Sequence, residues 1–70
     1  MITREDVDRM FTYHPPKGDQ TERYESLRHA ARLLGMTIIE LTPPSADQTA
    51  AIRKLRECVM TANAAIALEE

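Results

Sequence analysis

Two proline pairs, Pro15-Pro16 and Pro43-Pro44, limit what this chain can fold into more than any other feature. The residue before a proline is pushed out of the α region, so a helix ends near each pair. A start signal follows each break. Asp19 with Glu22, and Ser45 with Gln48, have the spacing of an N-cap and its capping-box partner. Thr3 with Asp6 is a weaker version near the N-terminus. Three helices are therefore expected, over about residues 3–12, 20–41 and 46–68.

Periodicity says how the two long pieces face each other. Tyr24, Leu27, Ala31, Leu34, Ile38 and Leu41 recur at spacings of three and four, which makes one apolar seam. Ile52, Leu55, Val59, Ala62 and Ile66 repeat the pattern. At 1.5 Å per residue each helix is roughly 33 Å long, and the Pro-Pro-Ser connection is short. The fold class that follows is all-α: a short N-terminal helix plus a long antiparallel two-helix hairpin, forming a single domain over residues 1–70.

Such a hairpin cannot enclose a core alone. Ordering costs about 1.5 kcal/mol per residue, which nearly cancels what so small a chain can bury. Its only cysteine, Cys58, excludes an internal disulfide, and no Cys/His cluster offers zinc. Small residues lie beside each seam: Ala30 and Thr37, then Ala51, Cys58 and Ala65. Cys58 is expected to be buried in that row. Leu33, Met36, Ile39 and Met60 add apolar surface outside the seams, and Val7, Met10 and Phe11 put more on the first helix. The surplus predicts a homo-oligomer whose order the pattern leaves open.

Charge excludes some partners. Nine basic against eleven acidic residues give a net charge of −2, with no block of Lys and Arg, so long nucleic acid is not expected. No span of the chain is apolar enough for a membrane. Seven of the nine cations are Arg, the residue suited to planar and bidentate contacts. The first residues lack the apolar run of a signal peptide, and with a free thiol this predicts a cytosolic protein.

No enzyme constellation is present: no phosphate loop, nucleophile elbow or metalloprotease pair. Nothing calls for a cofactor or a metal. Glu22, Glu25, Arg23 and His29 read as a solvated ion-pair face. Phe11-Thr12-Tyr13-His14-Pro15-Pro16-Lys17-Gly18 stands apart, because it sets three flat rings beside a cation. One reading is a stiff linker stapled by Phe11 and Tyr13. The other is a stacking platform for a flat anion, with Arg23 and Arg28 supplying charge. Asn63 among alanines fits an oligomer-register residue, a surface residue or a ligand contact.

The segment Phe11 to Pro16, then Asp19-Gln20, Arg23-Tyr24-Glu25, Leu27-Arg28 and Ala30-Ala31, resembles a phage hairpin domain. Pro44 to Asp47, Ala51-Ile52, Leu55-Arg56 and Ala62 to Ala67 continue the likeness, which covers about residues 9–67. The family is the second anti-CBASS family, whose hairpin also occurs in the first anti-Thoeris family. The resemblance implies a homo-hexamer that binds cyclic dinucleotides between subunits, and cyclic trinucleotides at separate sites. It implies sequestration without cleavage, in the host bacterial cytoplasm during phage infection. It also points to Phe11 and Tyr13 as base contacts and to Arg23 through Arg28 as the face meeting phosphate, with His14 and Lys17 next. Ser26 lies where some relatives carry a cation, leaving Arg28 or Arg23 to serve. Two alternatives stay open: a helical protein-interaction module, and a sponge for cyclic ADP-ribose-type Thoeris signals.

Overall fold

A computed structural model describes residues 1–70, and it contains three α-helices and no strand. Helix α1 runs Arg4–Met10, α2 Gln20–Leu41 and α3 Ala46–Glu69. The long pair folds back at Thr42–Ser45 into an antiparallel hairpin, giving an elongated molecule of 44 × 30 × 15 Å. No helix is long and apolar enough to cross a membrane.

The helix starts obey the local rules unevenly. Thr3 and Asp6 form a complete capping box: the Asp6 amide donates to Thr3 Oγ1 (3.1 Å) and the Thr3 amide to Asp6 Oδ2 (2.9 Å). Those bonds hold the Asp6 carboxyl below its usual range, the Thr3 backbone donor contributing most. Ser45 caps α3 by accepting from the Gln48 amide (3.1 Å). The Gln48 side chain does not return to Ser45; it donates to the carbonyl and hydroxyl of Thr42 and so clips the turn together.

Asp19 corrects the expectation of a second capping box. Its backbone sits at φ −90, ψ 12, outside the extended region a capping side chain needs, and it makes no cap hydrogen bond. Gly18 at φ +57 and the Gln20 amide donating to the Lys17 carbonyl (3.0 Å) make a tight turn there instead. Asp19 is left free to pair with Arg23 Nε (3.2 Å), one helical turn on.

The seam also differs from the expected one. Tyr24, Leu27, Ala31, Gly35 and Ile38 are half-buried along α2, while Leu34 is 51% and Leu41 78% exposed. Ile52, Leu55, Val59, Ala62 and Ile66 face them from α3. Gly35 takes the place that the apolar count gives to Leu34, since it is the half-buried residue facing α3 there while Leu34 is exposed. A Cβ there would lie 3.6 Å from Leu55 Cδ2 and 4.0 Å from Ile52 Cδ1, ordinary contact distances. Gly35→Ala is therefore expected to stabilise the hairpin by about 1 kcal/mol from helix propensity, a rise of several degrees in Tm. A fall in Tm by circular dichroism would mean that another side chain already fills the space.

No hydrophobic side chain is buried in the single chain; the only buried residue is Gln20, at 3% exposure. Cys58, expected to be buried, is exposed, as are Ala30, Thr37 and Ala65 of the small-residue rows. Leu33, Met36, Ile39 and Met60 all face outward, together with Val7 and Met10 of α1.

Candidate functional site

Residues 11–19 cross from α1 to the hairpin along the last turns of α3. Polar bonds hold them there. The Lys17 amide donates to Gln20 Oε1 (3.1 Å), and Gln20 Nε2 donates to the Ile66 carbonyl and to Glu70 Oε1 (both 3.2 Å). Lys17 Nζ donates to the Glu70 carbonyl (2.9 Å), and the Arg23 guanidinium grips both carboxylate oxygens of Glu70. Further back, Arg9 reaches the Leu68 carbonyl (3.4 Å) and Glu69 (3.8 Å), and His14 Nε2 donates to the Arg9 carbonyl (2.7 Å).

This path brings the aromatic segment beside α2 and α3. Tyr13, His14 and Pro16 form one wall of an open cleft of about 470 Å³. Tyr24 and Arg28, one turn apart on α2, form a second wall, and Met60, Asn63, Ala64 and Ala67 of α3 form the floor. The two alanines keep that floor low. Tyr13 is 80% exposed, so its ring is free to stack. Arg28 makes no ion pair with any carboxylate, which leaves its guanidinium available to an anion. The arrangement offers two phenol rings, one unpaired cation and one amide around a volume in the small-molecule range. No three His, Cys, Asp or Glu side chains gather anywhere in the chain to hold a metal.

The structure thus unites Tyr13, His14 and Arg28 and separates the other expected site residues from them. Lys17 lines a neighbouring hollow with His14, Gln20 and Glu70, its ammonium spent on the Glu70 carbonyl. Arg23 is committed to Glu70 and Asp19. Phe11 caps the C-terminal end of α1, is 84% exposed and does not line the cleft. Periodicity places Tyr24 in the seam and Met60 on apolar surface outside it, and neither reading points to the cleft; the i, i+4 spacing of Tyr24 and Arg28 is the signal that does. Asn63 is half-buried in the floor, and its Oδ1 is buried without a hydrogen-bond partner, a costly state for an acceptor.

Arg28 and Met60 also border a second trough between the long helices. Ile52, Leu55, Val59 and Gly35 line it with almost purely apolar surface, and Arg32 and Arg56 share the rim with Arg28.

Glu70 carries the largest electrostatic consequence of the linker network. The Arg23 hydrogen bonds first, and the Gln20 amide second, hold its carboxyl at about 2, against an ordinary 4.5. The folded value is depressed, so the interaction is fully present above pH 4.5 and is lost as pH falls toward 2. A pH titration followed at the Gln20 Nε2–H signals, which donate to Glu70 Oε1, should stay flat down to about pH 4 and change below it. A midpoint near 4.5 would mean that Glu70 does not hold this position in solution.

A helical hairpin with a ring-and-guanidinium cleft has the form of a small-ligand binding domain. The family model described as Acb2/Tad1, hairpin domain, matches residues 4–67, from the first residue of α1 to the last turns of α3, and the chain belongs to that family. No curated protein and no solved structure matches the chain. Membership implies an anti-defence role of the sponge type, in which a signal is bound rather than processed.

Proposed function

We propose that the protein binds and sequesters cyclic oligonucleotide second messengers, cyclic dinucleotides such as cyclic GMP–AMP in the first place, and so keeps CBASS effectors inactive. The observation that carries this reading is the meeting of an exposed Tyr13 ring and an unpaired Arg28 in one cleft. A flat base with a phosphate beside it needs those two groups. Tyr13 stacks on a base, Arg28 meets phosphate, and His14, Tyr24 and Asn63 border the bound molecule. Phe11, Lys17 and Arg23 stay outside this set.

An open cleft on one chain is half of what a sequestering site needs. A cyclic dinucleotide carries two bases and two phosphates related by an approximate twofold, and a second copy of the chain supplies the matching half. The absence of any buried hydrophobic side chain supports assembly, with the hexamer of the family as the expected order. Enclosure between subunits slows release.

The test is isothermal titration calorimetry with cyclic GMP–AMP, followed by recovery of the ligand after heat denaturation. Tight binding with fewer than one ligand per chain, and intact ligand recovered, is the expected result. A cleaved product would reveal catalysis, and no heat or thermal shift with any cyclic nucleotide would sink the sponge and leave a protein-interaction module. Tyr13→Ala is expected to weaken binding by about 1–3 kcal/mol through lost stacking. An unchanged Kd in a correctly assembled variant removes Tyr13 from the site. The family description joins both hairpin types, so competition by cyclic ADP-ribose isomers is the check on which signal is held.

A further inference from the structure

We infer that Gln20, braced by Glu70, is the positioning residue of the ligand cleft: it sets where Tyr13 stands and thereby how well the cleft stacks a base. The inference rests on the ligand site proposed above. Helix α1 and the linker bury no side chain against the hairpin, so packing does not hold Tyr13 in place. Gln20 does so through three hydrogen bonds that use both ends of its amide. Oε1 takes the Lys17 amide, four residues beyond Tyr13, and Nε2 holds the Ile66 carbonyl and Glu70 Oε1. One side chain thereby joins the linker, the start of α2 and the last turns of α3, the three elements that meet around the cleft.

Its burial gives that junction stiffness. A fully satisfied amide at 3% exposure has no water to exchange with, and each of its bonds is costly to break without replacement. Glu70 closes the far side: its carboxylate takes one Gln20 bond and both Arg23 bonds, and its carbonyl takes Lys17 Nζ. Arg23 and Lys17 therefore serve the site indirectly, as parts of the brace rather than as phosphate ligands. None of these four side chains borders the cleft itself.

The experiment is a double-mutant cycle on the full chain, with assembly checked by size exclusion for each variant. Gln20→Ala and Tyr13→Ala are made singly and together, and titrated with cyclic GMP–AMP. Tyr13→Ala in the wild-type background is expected to cost roughly 10-fold or more in Kd, and less than about 3-fold once Gln20 is Ala, because the ring is no longer held where it stacks. Arg28→Ala, on a helix the latch does not move, should cost the same in both backgrounds. Equal Tyr13 penalties in the two backgrounds overturn the inference. Glu70→Gln, which keeps shape and loses charge, repeats the cycle if Gln20→Ala does not assemble. A ligand-free reading keeps the two proposals separate: the Lys17 amide should lose exchange protection, and the Tyr13 ring resonances should shift, in Gln20→Ala. If wild type binds no cyclic nucleotide, the sponge fails while the latch is still judged by these signals. Unmoved Tyr13 resonances overturn the latch whatever the ligand.

Discussion

Arg28→Ala is expected to produce the largest loss of affinity of any single change in the cleft. A hydrogen bond to a charged group contributes about 1.5–3 kcal/mol, and a site shared by two copies loses one such contact from each. The combined loss is about 3 kcal/mol or more, which is roughly 100-fold or more in Kd. Two features of the fold allow so large an effect. Arg28 has no carboxylate partner in the chain, so its charge is not already spent. It is also exposed, at the rim of the half-buried seam rather than within it, so alanine there leaves the hairpin intact. Titration at two salt concentrations checks the role: the variant should show a weaker salt dependence than wild type. A variant that binds within about twofold of wild type would move the phosphate elsewhere on the protein.

A second large effect is expected from the outward apolar face. Leu34 is 51% exposed and lies outside the half-buried seam, so Leu34→Asp should scarcely disturb a free hairpin. If copies bury that face against one another, each leucine covered contributes about 1.5–3 kcal/mol per chain, and an aspartate adds the cost of a buried charge. The expected outcome is loss of the assembly in sedimentation, with a collapse of helical circular dichroism at low concentration. A Leu34→Asp variant that sediments and melts like wild type would show that Leu34 stays in water in the native state.

These two residues also mark what could be read from the sequence and what could not. The helices and the hairpin were legible because proline geometry and the 3-4 repeat act locally. Arg28 was legible as a cation near an aromatic segment. The seam departs from the expected one at Leu34 because counting apolar residues cannot see a glycine, although Gly35 is the residue that lies toward Ile52 and Leu55. Arg23 carried the same charge signal as Arg28, and only the fold shows Glu70 and Asp19 cancelling it. Gln20 stands among the residues that carry the family likeness, but nothing local marks its bracing role. Two of its three partners, Ile66 and Glu70, lie 46 and 50 residues away, and contacts of that span leave no trace in a local pattern. The failed capping box at Asp19 is a local matter instead: the turn at Gly18 leaves Asp19 outside the extended region a capping side chain needs.

A chain whose single buried side chain is a glutamine draws little stability from itself. If copies supply each other's missing contacts, as proposed, the folded fraction depends on concentration by mass action. Newly made, dilute chains are then short-lived and open to proteases, and they persist only after production has passed a threshold. A sponge is useful only when its binding sites outnumber the signal. Coupling survival to abundance makes the same quantity govern both: copies too few to soak up a messenger are also too few to last.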